Sequence, residues 1–341
     1  MKFCTREILQ RKTLERSGEV KLGQSIACLS NGDNLDDLPK YVKGGIKYAL
    51  IGIPESIGIR GNFGRSGAER AWDCFLNSFL NMQSNHFMPG GDIICLGQVY
   101  TDELQAEADR MEFGSQDYIV NLRDLCARLD DLVHPVITKV VAAGLIPIII
   151  GGGHNNVYPI LKGFNNSSLY KEGVNCINCD AHADFRSLEG RHSGNGFSYA
   201  VEEGLLKRYF VLGMHESYNS EAMFKALDEN TSVGYTLFDE FADFAAQVHQ
   251  GLSFFEDDTS PLGLELDLDC IAGMSASAFT PSGISIQQAR SYIINVTRKY
   301  KPVYFHLSEG APSSQLQEQT FVGKSLAYFV CDFIKASNWQ A

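Results

Sequence analysis

From residue 46 onward, short apolar runs alternate with longer stretches whose apolar residues recur every three or four positions. The runs at 47–53, 92–96, 146–150, 174–179, 209–212, 263–268 and 303–307 have the length and β-branched content of buried strands. The stretches at 68–82, 118–143, 286–299 and 322–336 read as amphipathic helices. Strands alternating with helices predict an α/β fold with a mainly parallel sheet covered on both faces. Residues 1–44 are polar and lack either period, with a turn-rich Asn31-Gly32-Asp33-Asn34. They are expected to form an N-terminal arm, and residues 45–341 a single domain.

In open parallel sheets, ligands bind beyond the carboxyl ends of the strands. Three polar motifs lie there. Gly151-Gly152-Gly153-His154 follows the strand ending at Ile150. Three glycines permit a tight turn and a close backbone approach. The motif has neither the P-loop Lys-Ser/Thr nor the dinucleotide spacing. Asp180-Ala181-His182-Ala183-Asp184 follows the next strand. In extended backbone alternate residues point to one side, so Asp180, His182 and Asp184 converge. Glu265-Leu266-Asp267-Leu268-Asp269 closes a third strand, and the same period puts Asp267 and Asp269 on one face with Glu265 a step behind.

Four carboxylates and two imidazoles crowded at neighbouring strand ends repel and desolvate one another unless a cation neutralises them. His154, Asp180, His182, Asp184, Asp267 and Asp269 form a set that suits two divalent ions sharing bridging carboxylates. Oxygen-rich ligation with some nitrogen and no sulfur favours Mn²⁺ over Zn²⁺, with Zn²⁺, Fe²⁺, Co²⁺ and Ni²⁺ as the alternatives this donor set also accepts. Two such ions activate water for hydrolysis at neutral pH.

Charge and composition narrow the function classes. The chain has 341 residues, with 29 Lys+Arg against 41 Asp+Glu and a net charge of −12. That balance argues against a nucleic-acid binder, which needs a basic face. No apolar run approaches the roughly 20 residues that span a bilayer. The N-terminal MKFCTREILQ has no apolar signal core, and nine scattered cysteines suit reduced thiols. A cytoplasmic location is expected. Cys176 and Cys179 form a C-x-x-C, but strand geometry points them to opposite faces and makes them core residues.

The GGGH of 151–154, the DAHAD of 180–184, the DLD of 267–269 and Glu309 in SEGAP, in this order, resemble the arginase/agmatinase/formimidoylglutamase family, the ureohydrolases. The resemblance spans about residues 46–336. It implies a three-layer α/β/α fold with a central, mainly parallel eight-stranded sheet, a binuclear Mn²⁺ site, and trimeric or hexameric assembly. His154, Asp184, Asp180 and Asp267 would hold one ion. His182 and Asp269, with the shared Asp180 and Asp267, would hold the other. Glu309 would bind the cationic amidine end of the substrate, and Asp184 would also move a proton.

Two local features resemble the formimidoylglutamase branch: Arg186 after Asp184-Phe185, where arginases carry Asn, and the Gly-rich GIRGNFGRSGA at 58–68 with Arg60, Asn62 and Arg65. A dicarboxylate substrate asks for guanidinium partners. Arg186, Arg191, Arg60 and Arg65, with Asn62 and Asn195, are therefore the expected substrate-binding residues. Arginases have a proton-shuttling His where this chain has Phe197, which speaks against arginase activity; His192 is the nearby alternative relay. The expected reaction is N-formimidoyl-L-glutamate plus water giving L-glutamate and formamide, a step of histidine degradation. The alternatives are hydrolysis of arginine, agmatine or another guanidino compound with urea release, or a non-catalytic metal-binding regulator or scaffold.

Overall fold

A computed structural model describes residues 1–239 and 243–339. Among them are ten strands: β1 (Lys2–Phe3), β2 (Ala27–Cys28), β3 (Tyr48–Gly52), β4 (Ile93–Gln98), β5 (Ile146–Ile150), β6 (Val174–Cys179), β7 (Leu206–Met214), β8 (Val233–Leu237), β9 (Leu262–Asp267) and β10 (Tyr304–Ser308). The eight longer ones pair in parallel in the order β4-β3-β5-β10-β9-β6-β7-β8. On the outer edge of β4, β2 adds in parallel and β1 antiparallel. The last two strands in sequence, β9 and β10, are thus inserted between β5 and β6. This brings four chain segments to the middle of the sheet's carboxyl edge.

Side-chain alternation divides the core. Ile148 and Ile150 of β5 and Ile177 and Cys179 of β6 face one layer of helices. Ile149 and Cys176 face the other. The first layer holds the helices Ala71–Phe79, Phe244–Ser253, Ile286–Tyr300 and Leu316–Ser337; the second holds Tyr118–Ala142, Val157–Asn166, Gly196–Glu202 and Glu221–Asp228. The arrangement is the three-layer α/β/α architecture. Each fully buried Leu or Ile contributes roughly 1.5–3 kcal/mol.

All seven sequence-predicted strands are present. β1 and β2, two residues each, and β8, whose Val-Gly-Tyr-Thr-Leu is only partly buried, have too weak a pattern to be read. Residues 1–44 are not patternless in space. Leu9, Leu22 and Ile26 are fully buried in the first layer, and Arg6 donates to the carbonyls of Gly23 and Ile26.

Candidate metal centre and cleft

Each polar motif is held by local backbone geometry. Gly151 and Gly152 adopt φ of +88° and +76°. A Cβ on Gly152 would come within 2.4 Å of Asn156 Nδ2 and 2.7 Å of Glu55 Oε1, so only glycine fits. Glu55, fully buried, has no counterpart among the residues expected from the sequence. It accepts from the amides of Gly153 (2.8 Å) and Ile57 (2.6 Å) and from Asn156 Nδ2 (2.7 Å). It thereby ties the loop after β3 to the loop that carries His154. A lone Glu between Pro54 and Ser56 gives no sign of this role.

In the next two motifs a carboxylate caps its own loop. Asp180 Oδ1 accepts from the amide of His182 (2.7 Å), and Asp267 Oδ1 from that of Asp269 (2.8 Å). Asn219, also not anticipated, brackets the DAHAD loop. Its Oδ1 accepts from Ala183 N (2.9 Å), and its Nδ2 donates to Ala181 O (3.1 Å).

These turns aim the side chains at two points. His154 Nδ1 lies 3.2 Å from Asp180 Oδ2, 3.0 Å from Asp184 Oδ2 and 3.0 Å from Asp267 Oδ2. His182 Nδ1 lies 3.1 Å from Asp269 Oδ2 and 3.6 Å from Asp180 Oδ1. Donor atoms of His154, Asp180, Asp184 and Asp267 fall within 4.8 Å of one another, as do those of Asp180, His182 and Asp269. A third such group, His154, Glu265 and His306, shares the far side of the His154 ring.

Burial makes this arrangement costly for the protein alone. Asp267 is pushed well above the usual carboxylate range by burial and by the charges of Asp269 and Asp180. Asp269 rises to about 6, chiefly by burial, against the opposing pull of His182. Asp184 is also raised, by burial and then by Asp180. Burial alone would lower His154, but Asp180, Asp184, Asp267 and Glu265 outweigh it and hold the imidazole well above its ordinary value. Asp269 Oδ1 is buried and has no hydrogen-bond partner among the described residues. Hard oxygen donors, two imidazole nitrogens and an orphaned carboxylate oxygen fit a pair of divalent cations.

The two points open into a cavity of about 450 Å³ lined by Asn62, Arg65, Asp184, Arg186, Ser193, Tyr218, Asn219, Ser277 and Glu309, among others. Glu309 follows β10 at φ +62°, and Asp184 sits at φ +47°. Left-handed non-glycine residues are strained and collect at functional sites. Backbone bonds hold Glu309 there, from its own N–H to Gly152 O (3.0 Å) and from Ser277 N–H to its carbonyl (2.9 Å). One of its carboxylate oxygens accepts from the amide of His154 (2.7 Å).

Of the six expected substrate contacts, the structure brings Arg65, Arg186 and Asn62 to the cavity. It does not bring Arg60, Arg191 or Asn195. Arg60 turns away to Asp109 (2.8 Å), Ala108 O and the Tyr118 hydroxyl. Arg191 is buried in a two-pronged pair with Asp130 (2.8 and 3.3 Å), its guanidinium over the rings of Tyr158 and Tyr199. Asn195 is fully buried and spends its amide on Arg191, His192 N, Ser187 O and Gly190 O. His192 is likewise no relay in this arrangement. It is buried, its Nδ1 accepts from Gly194 N (3.1 Å), and burial lowers it to about 4, with Arg123 acting in the same direction. Arg191, His192 and Asn195 build the loop after the DAHAD motif, Arg60 braces the helix Ile57–Gly61 against Asp102–Asp109, and none of the four lines the cavity. Phe197, where arginases carry His, stacks on Tyr209 beneath His154.

Residues 47–331 match the family model described as the arginase family. The chain belongs to the arginase family. It is a hydrolase of amidine-type substrates. A formimidoylglutamase of Streptococcus gordonii is 24% identical over 302 residues, covering 84% of each chain. Among solved structures, Trypanosoma cruzi formiminoglutamase with Mn²⁺ superposes with a TM-score of 0.70 at 18% identity, covering 92% of this chain and 98% of that one. Formimidoylglutamase of Bacillus subtilis superposes at 0.73 and 17% identity, covering 95% and 93%. At that identity the superpositions establish the arginase fold. None of the helices among the described residues is long and apolar enough to cross a membrane.

Proposed function

We propose that the protein is a formimidoylglutamase that hydrolyses N-formimidoyl-L-glutamate to L-glutamate and formamide at a binuclear Mn²⁺ site. The observation that carries the substrate reading is the polarity of the cleft: Glu309 and Asp184 at its floor, Arg65 and Arg186 at its rim. A substrate with a cationic formimidoyl end and two carboxylates matches that order of charges. Arginine and agmatine would turn an ammonium toward the two guanidinium groups. The names of the relatives agree with the reading.

His154, Asp180, Asp184 and Asp267 would hold one Mn²⁺, and His182, Asp269, Asp180 and Asp267 the other. Bound there, the pair supplies Lewis-acid activation of water and of the amidine. The chain's own residues do the rest. Glu309, its carboxylate fixed by the His154 amide, would accept from the amidinium N–H groups and orient the formimidoyl carbon. Arg186 would hold the substrate carboxylates, joined by the Nε and Nη1 of Arg65, whose Nη2 is given to Ala276 O and Ala311 O. Water adds to the formimidoyl carbon, and the bond to the glutamate nitrogen breaks. Asp184, at the cavity floor, would carry a proton from the water to that leaving nitrogen.

The test is a paired assay of Mn²⁺-loaded protein, scoring glutamate from N-formimidoyl-L-glutamate and urea from arginine and agmatine. Glutamate without urea is expected. Urea alone would refute the substrate assignment and leave the metal centre standing.

A further inference from the structure

Five non-glycine residues among those described have positive φ, and three of them, Asp184, Glu309 and Phe63, line the same cleft. The first two place carboxylates. Phe63, at φ +64°, carries no such group.

Its backbone conformation has a local cause. The short helix Ile57–Gly61 ends with Gly64 N donating to Ile59 O (2.8 Å) and Phe63 N to Arg60 O (3.1 Å). This pair of bonds is the Schellman motif, and Phe63 occupies its left-handed position, where glycine is the usual residue. A side chain there sets Cβ against the following carbonyl. Burial does not offset that strain, because Phe63 is 72% exposed. In the free protein an aromatic residue at this position is therefore worse than glycine twice over, in backbone strain and in apolar exposure.

We infer that Phe63 is a substrate-contact residue whose ring closes over the methylene chain of an amidine bound in the cleft, favouring substrates with an apolar segment between amidine and charged tail. Tyr218 and Met223 line the same cleft and give that chain a second apolar wall. Arg65, two residues on, is tied to the far rim through Ala276 O (2.9 Å) and Ala311 O (2.7 Å), so the loop that presents the ring is anchored. The inference rests on the proposed amidine hydrolase site.

The experiment measures, on the Mn²⁺-loaded full chain, thermal midpoints and apparent affinities (KM for a ligand that is turned over, calorimetric Kd for one that is not) for wild type, Phe63→Gly, Phe63→Ala and Phe63→Tyr. The ligands are N-formimidoyl-L-glutamate, arginine, agmatine and the chainless amidine formamidine. Phe63→Gly should melt at or roughly 1–3 °C above wild type, as relief of strain requires. Phe63→Ala, which keeps the strained backbone, should not gain. Both should bind the chain-bearing ligand that wild type prefers about 5–15-fold more weakly, the share of one or two covered methylenes. Binding of formamidine should not change, and Phe63→Tyr should restore wild-type affinity. Equal affinities across the series would overturn the inference. So would a lowered midpoint of Phe63→Gly with weaker formamidine binding, which would make the ring structural. Wild type that binds N-formimidoyl-L-glutamate without releasing glutamate refutes the proposed function alone; wild type that binds none of the ligands refutes both.

Discussion

The carboxylate of Glu265 lies 3.3 Å from His154 Nε2, on the side of the imidazole opposite Asp180, Asp184 and Asp267. The same carboxylate accepts from the Tyr304 hydroxyl (2.8 Å) and pairs with His306 Nδ1 (2.7 Å). Held on three sides and fully buried, it fixes the ring and assigns the Nε2 proton, leaving Nδ1 as the donor atom for a metal. Glu265→Gln should weaken Mn²⁺ binding by about 10–100-fold, the usual effect of losing such a partner. Titration of the metal followed by electron paramagnetic resonance would show it. Unchanged affinity would remove Glu265 from the account.

Metal binding should release protons and strengthen with pH. In the metal-free protein Asp267 holds its proton well above the ordinary range and Asp269 up to about 6. A cation needs both as carboxylates, so it competes with protons below these values. Mn²⁺ affinity should fall steeply as pH drops from 7 to 5. For the metal-free chain the sign is reversed: a carboxyl raised from about 3.9 to about 6 stabilises the fold at low pH and loses that contribution as pH rises through 6. Acid should thus weaken the loaded protein and spare the empty one at this residue. Proton release in weak buffer, with melting curves at pH 5 and 7, checks both signs.

The arginines should separate by phenotype. Arg191→Ala leaves Asp130 buried and unpaired and should cost about 3–5 kcal/mol of stability. Arg186→Ala lies on the exposed rim and should leave stability within about 0.5 kcal/mol, raising KM roughly 10–100-fold through a lost charged hydrogen bond. Melting curves and steady-state kinetics on both variants decide the matter. A raised KM with full stability in Arg191→Ala would return it to the substrate site.

Asp184→Asn should retain the fold and lower kcat by about 10²–10⁴-fold, the range for a positioned acid–base group. Because Asp184 also lies among the ligands, metal content must be measured on the same sample. A fall in kcat at full occupancy supports proton transfer; retained turnover with metal bound excludes it.

Much of this centre is legible in the chain because its polar residues cluster just after strand ends. Asp180, His182 and Asp184 alternate with alanines, and Asp267 and Asp269 with leucines; these side chains do converge, but through turns rather than the expected extended backbone, with Asp184 at φ +47° and Leu268–Cys270 in a tight helical turn. The buried parallel strands are equally plain as apolar runs. What cannot be read is direction. Arg60 and Arg186 look alike in sequence, yet one folds back on Asp109 and the other reaches the cleft, a choice made by the helix Asp102–Asp109 more than 40 residues away. Glu55 and Asn219 are invisible for the same reason. Their work is on backbone atoms of distant loops, and backbone hydrogen bonds leave no residue-type pattern to find.

In the proposed centre Asp180 and Asp267 would each be shared by the two cations. The direct measurement is the number and magnetic coupling of Mn²⁺ ions bound per chain in wild type and in Asp180→Asn. Two exchange-coupled ions in wild type, with the coupled signal lost in the variant, is the predicted result. A single uncoupled ion in wild type, or coupling that survives Asp180→Asn, would contradict the account.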